Sequence, residues 1–139
     1  EVAHKTLYNV HQRVATEYRK GRIFLIGDAA HINNPLGGMG MNGGIHDAFN
    51  LAEKITDFWH NRKNASVLDL YEKQRRPIAL EYVNKQSIKN KQNLEAKTLE
   101  AQGQFRGFLA ELMEDKQRAR EYMMRVSMIS SLREASEIS

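Results

Sequence analysis

Gly21-Arg22-Ile23-Phe24-Leu25-Ile26-Gly27-Asp28-Ala29-Ala30-His31, followed after a short link by Pro35-Leu36-Gly37-Gly38-Met39-Gly40-Met41-Asn42-Gly43-Gly44, decides how this chain is read. The apolar run Arg22-Ile23-Phe24-Leu25-Ile26 reads as a fully buried strand. Gly27 lets the backbone turn sharply at the end of that strand, so Asp28 falls at its carboxyl end, where ligands of open α/β sheets bind. A carboxylate there accepts hydrogen bonds from sugar-type hydroxyls. Glycines 37, 38, 40, 43 and 44 remove side chains so that backbone can lie against a flat ring. A helix starting near Met41 or Asn42 then offers unpaired amides and the positive end of its dipole to an anion. Strand, acid, glycine-rich loop and helix start in this order form the layout of a site for a polar, anionic cofactor.

Working outward, 139 residues fit one domain, and 41% hydrophobic with 27% charged residues places the chain among globular proteins rather than disordered ones. The net charge of +4 is mild and requires no nucleic acid partner. With no cysteine there are no disulfides, thiol nucleophiles or thiolate metal sites, which fits a reducing cytoplasm. No apolar run is long enough to span a membrane, and Glu1-Val2-Ala3-His4-Lys5 lacks the regions of a signal peptide. The histidines have no carboxylate at helical spacing that would suggest a metal site, so no metal is expected.

The organisation shifts once, near residue 44. Before it, Thr6-Leu7-Tyr8-Asn9-Val10 has the alternation of a short strand, and Tyr18-Arg19-Lys20-Gly21 is the polar turn leading into the buried one. After it nearly everything is helical. Ile45, Ala48, Phe49, Ala52, Ile55 and Trp59 form one apolar stripe on a helix ending around His60 to Asn64, with Phe49 and Trp59 as core residues. A second helix starts at Ser66, whose hydroxyl can cap it, and Pro77 should kink it. Phe105, Phe108, Leu109, Leu112 and Met113 mark a third helix; Tyr122, Met123, Val126 and Ile129 mark a fourth. So hydrophobic a strand as Arg22 to Ile26 belongs inside a sheet, yet the chain offers at most one weak companion, and two strands do not make a stable sheet alone. The sequence is therefore expected to be the carboxyl-terminal portion of a longer protein, whose open edge could pair with a second copy as a homodimer.

The motifs GDAAH, P-x-G-G-x-G-x-N and D-A-x-N-L-A, in this order, resemble the second FAD-binding motif of the flavoprotein aromatic hydroxylases, the para-hydroxybenzoate hydroxylase family. The resemblance covers about residues 13 to 83. It implies an α/β parent fold of which this chain is the mostly helical part with one or two strands. Residues 1–64 would close the FAD-binding domain, residues 65–139 would form a helical carboxyl-terminal region, and the amino-terminal βαβ unit that holds the ADP half of FAD is absent. It further implies an FAD-dependent monooxygenase that hydroxylates a small, phenol-like aromatic substrate with NAD(P)H and O2. Taken alone, Asp28 would merely cap the Ala29-Ala30-His31 turn; the family instead gives it the ribityl chain. By the same resemblance Gly37 and Gly40 pass close to the isoalloxazine, the amides of Met41 and Asn42 face its pyrimidine end, and the Pro35 carbonyl lies beside the reacting ring of the substrate as the catalytic contact.

Several features invite other readings. Gly38-Met39-Gly40-Met41-Asn42-Gly43 satisfies G-x-G-x-x-G but does not directly follow its strand, so it is not the ADP-binding fingerprint. His31 could pack or bond the backbone as readily as touch a cofactor. Lys73, Arg75 and Arg76 resemble the family's "ERRP" segment, with Gln74 in place of Glu, and read as a solvated face. The motif reports the cofactor rather than the chemistry, so a halogenase or dehydrogenase is an alternative. A basic helical binding module using Lys85, Lys89, Lys91 and Lys97 is another, although these lysines lack interleaved aromatics.

Overall fold

Polar side chains of one helix stitch together the strands that precede it. The computed structural model describes residues 11–35, 38–94 and 98–139, so the strand expected at Thr6 to Val10 and the site glycine Gly37 lie outside the described residues. β1 (Arg13–Val14) pairs antiparallel with β4 (His31–Ile32), placing Val14 opposite His31. β2 (Arg19–Lys20) and β3 (Ile23–Phe24) form a hairpin with Lys20 opposite Ile23, and Gly21 takes φ +62° in the turn between them. That left-handed backbone is why glycine stands at the turn. Backbone bonds from Ala15 N–H to the Ala30 carbonyl and from Leu25 N–H to the Tyr18 carbonyl extend both pairs.

Among the described residues six α-helices follow: α1 (Met39–Trp59), α2 (Asp69–Ile78), α3 (Gln86–Leu94), α4 (Leu99–Glu114), α5 (Lys116–Val126) and α6 (Ile129–Glu137). A 3-10 turn at Ala65–Leu68 leads into α2, and its cap is Asn64, whose side chain accepts the Ser66 amide, rather than the Ser66 hydroxyl. Pro77 lies in the last turn of α2, and the chain passes there into a π-helix over Ala79–Lys85, so the regular α-helix ends just after the proline. The expected fourth helix is two. Met128 takes φ +63°, is fully buried, and separates α5 from α6. Thr98 and Asp115 cap α4 and α5 by accepting the amides of Ala101 and of Gln117 and Arg118.

Two expectations about burial fail. The strand at Ile23–Phe24 is short and its Ile23 is 69% exposed, so it is not the buried interior strand. On α1 the apolar stripe faces outward, with Phe49 76% and Trp59 78% exposed, while the buried face carries Met39, Gly43, Asp47, Leu51 and Lys54. Periodicity identifies a stripe but not what covers it, and among the described residues nothing does. The main core instead gathers Tyr18, Ala30, Leu51, Tyr71 and Ala79, with Val14, Ala15, Phe24 and Leu25 against it.

α2 holds this core to the strands. The Glu72 carboxylate accepts the amides of Tyr18 and Arg19 at 2.7 and 3.1 Å, Arg76 Nε donates to the Ala15 carbonyl at 3.0 Å, and the Tyr71 hydroxyl donates to the Leu25 carbonyl at 2.6 Å. Burial pushes the Tyr71 hydroxyl far above its ordinary pKa, so it remains a donor throughout the accessible pH range. Replacing Tyr71 with Phe removes that donor and leaves a carbonyl without its partner, at a cost of about 1–2 kcal/mol. Urea unfolding of the Tyr71→Phe variant should show this loss; an unchanged midpoint would mean the bond contributes nothing.

Candidate functional site

The backbone leaves the hairpin through Ile26 and turns at Gly27, with φ +55°, into a 3-10 turn over Gly27–Ala29. Asp28 is exposed in that turn, and its carboxylate makes no hydrogen bond among the described residues. It is therefore available to a ligand rather than consumed in capping. The turn lies directly on α1: a Cβ added at Gly44 would sit 3.2 Å from the Gly27 Cα. A side chain at Gly44 would push the two backbones apart, so glycine on both sides keeps this approach close.

A single carboxylate, Asp47 on α1, fixes this contact. Its Oδ2 accepts the Gly27 amide at 3.1 Å and His31 Nε2 at 2.8 Å, and its Oδ1 accepts Arg75 Nε at 2.7 Å. All three side chains are buried, Asp47 completely. Burial alone would push the Asp47 carboxyl upward. The hydrogen bonds from His31 and Arg75, reinforced by the guanidinium charge, outweigh it and hold the group below the usual carboxylate range. His31 thus serves the inner network rather than the open side of the site. Arg75, expected on a solvated face, is 1% exposed. The signal that could have found it is charge balance, since an aspartate inside the D-A-x-N-L-A motif must meet a buried cation if its helix packs on that side.

The start of α1 forms the other half. Pro35 is exposed, and its carbonyl accepts the Gly38 amide at 3.2 Å. Gly38 occupies the position before Met39 with φ +65°, and no side chain caps the helix there. Since the helix begins at Met39, the amides lacking a partner within it run through Met41, and Asn42 is the first that can reach back one turn to Gly38. Met41 and Asn42 are both exposed. Gly40 has a packing reason of its own, because a Cβ there would meet Asn33 Oδ1 at 2.7 Å. An exposed carboxylate without a partner among the described residues, beside a long helix that starts without a side-chain cap, fits a ligand with hydroxyls at one end and a delocalised negative charge at the other.

Elsewhere the described residues offer less. No three His, Cys, Asp or Glu side chains converge as metal ligands, and no helix is long and apolar enough to cross a membrane. Lys85 pairs with Glu81 at 2.7 Å and Lys89 lies over the Phe108 ring, so these lysines are engaged within the chain. A groove of about 630 Å³ beside α1 is lined by Phe49, Lys54, Gln74, Arg75 and Leu132 among others. Burial lowers the pKa of Lys54 there.

The Asp47 network makes a testable claim about pH. Arg75→Met leaves the buried carboxylate short of its cation and should cost about 3–5 kcal/mol at pH 7. The native Asp47 pKa is depressed, so its contribution is present above the ordinary carboxylate pKa of about 3.9 and fades as pH falls below it. In Arg75→Met, burial without the cation raises that pKa and acidification relieves the defect. Thermal unfolding of both proteins should show a gap that closes between neutral and acid pH; a gap independent of pH would contradict the assignment.

The sequence matches the FAD binding domain family over residues 1–86. It is 42% identical over 94 residues to 6-hydroxy-3-succinoylpyridine 3-monooxygenase of Pseudomonas putida, a match covering 68% of this chain and 24% of that protein. It is 44% identical over 89 residues to para-nitrophenol 4-monooxygenase of a Pseudomonas species, covering 64% of this chain and 22% of the relative. Among solved structures, p-nitrophenol 4-monooxygenase of Pseudomonas putida superposes with a TM-score of 0.78 and 34% identity, over 86% of this chain and 31% of that one. The chain thus spans about a quarter of the length of these curated relatives. With the motifs and the helix start in place, the chain belongs to the FAD binding domain family, in the group of FAD-dependent aromatic hydroxylases.

Proposed function

We propose that this chain supplies the part of an FAD site that faces the ribityl chain and the flavin ring, in a monooxygenase that hydroxylates a small phenol-like substrate with NAD(P)H and O2. The observation that carries the reading is the pairing of the open Asp28 carboxylate with the uncapped start of α1, two features held against each other at Gly27 and Gly44. Relatives named as monooxygenases of para-nitrophenol and pentachlorophenol support the substrate class.

In this reading Asp28 accepts hydrogen bonds from the ribityl hydroxyls. In this proposal the free amides at the head of α1, of which Met41 carries the last, stabilise negative charge at the pyrimidine end of the ring, and the Asn42 amide, expected there too, lies one position behind them inside the helix. Gly37 and Gly40 let backbone approach the ring face, and the Pro35 carbonyl orients the substrate. Bound FAD supplies the electron transfer and oxygen chemistry; these residues bind, orient and exclude water.

The same reading places the chain in an α/β parent fold, with residues 1–64 closing the flavin domain and residues 65–139 forming a helical region beyond it. The outward apolar stripe Ile45, Phe49, Ile55 and Trp59 is then the surface on which the remainder of that domain packs, and a homodimer would cover it in the isolated chain. A cytoplasmic enzyme fits this assignment. The reaction needs its own test, because a solved neighbour with a TM-score of 0.69 and 31% identity is described as a Diels-Alderase.

The test uses the FAD-loaded protein that carries this chain. Addition of a phenol should accelerate NAD(P)H oxidation and O2 uptake, and under ¹⁸O₂ the product should gain one labelled oxygen. Bound FAD with no stimulation and no labelled product would assign the site to another flavin reaction. The Asp28→Ala variant should fold yet purify largely free of flavin; a full complement of FAD would remove Asp28 from the site.

A further inference from the structure

Asp47 touches neither the exposed loop surface nor the helix start, yet it is attached to every element that carries them. Its Oδ2 holds the amide of Gly27, the residue immediately before Asp28, and the His31 ring at the end of the same loop. Its Oδ1 holds Arg75 of α2, and its own backbone belongs to α1, the helix whose first turn carries the Met41 and Asn42 amides. The loop therefore meets α1 at two points, a backbone contact at Gly44 and a charge-assisted hydrogen bond at Asp47.

We propose that Asp47 is the positioning residue of the site: through Gly27 and His31 it fixes the Asp28 carboxylate relative to the head of α1, so that both halves engage one flavin at once. The inference rests on the flavin reading given above. Four facts support the assignment. The carboxylate is fully buried, so it cannot contact a ligand at the surface. Its donors come from three separate elements, more than anchoring one helix requires. His31 Nδ1 and Arg75 Nη1 are buried without a partner among the described residues, while His31 Nε2 and Arg75 Nε both bond Asp47. Gly27 needs left-handed backbone, which side-chain packing cannot impose on glycine but an accepted amide can.

Outer groups that orient binding groups act on affinity by about tenfold to a hundredfold. In the FAD-loaded protein carrying this chain, Asp47→Asn should therefore weaken FAD binding by about tenfold or more, measured by flavin fluorescence at a temperature well below unfolding. It should also alter the near-UV circular dichroism of the flavin that remains bound, while affinity for ADP stays as in the parent. A second pair of variants covers the case in which Asp47→Asn does not fold. His31→Gln keeps a nitrogen donor toward Asp47 and should retain FAD affinity, whereas His31→Leu should lose it by a similar factor. Parent-like FAD affinity and dichroism in Asp47→Asn, or equal affinities in His31→Gln and His31→Leu, would overturn the positioning role while leaving the flavin reading intact. A parent protein that binds no FAD would overturn both.

Discussion

A buried negative charge is tolerated only where its surroundings repay the lost hydration, and Asp47 is repaid by a guanidinium, an imidazole and a backbone amide. That requirement organises the molecule from the strands through α2. α2 must bring Arg75 to α1; β4 must present His31 inward; and the loop between β3 and β4 must turn at Gly27 so that its amide faces the carboxylate. Once those conditions are met, the outer face of the same loop carries Asp28 and the outer end of the same helix carries free amides. The exposed site is in this sense the reverse side of a buried ion network.

The second helix completes the arrangement from below. Glu72, Arg76 and Tyr71 each bond the backbone of the strand region, and together with Arg75 they turn one face of α2 into a polar clamp. Such a clamp suits strands of only two residues, whose own ladders are too short to hold them. The apolar packing of Tyr18, Leu51 and Tyr71 supplies burial, and the clamp supplies register.

Much of this was legible in the residues. The turn at Gly27 and Asp28 after a strand follows from local backbone rules, although the strand is shorter and more exposed than expected, and α1 begins at Met39, close to the expected start at Met41 or Asn42. The helical character of the second half followed from spacing, although the break at Met128 did not, because a left-handed methionine leaves no signature in a hydrophobic pattern. The sense of burial on α1 was not legible either. Ile45, Phe49 and Trp59 define an apolar stripe, but the chain packs instead on the face bearing Asp47 and Lys54, and only pairing Asp47 with Arg75 would have revealed this. Phe49 and Trp59, read as core, are consequently the most exposed large hydrophobic side chains of that helix, just ahead of Met41.

The most direct measurement of the central claim is a crystal structure of the FAD-loaded protein carrying this chain. The account predicts the Asp28 carboxylate on the ribityl hydroxyls and the head of α1 at the pyrimidine edge of the ring, with Asp47 still bonded to Gly27, His31 and Arg75 beneath them. Flavin bound away from Asp28 and α1, or an Asp47 that has released Gly27 to reach solvent, would contradict it.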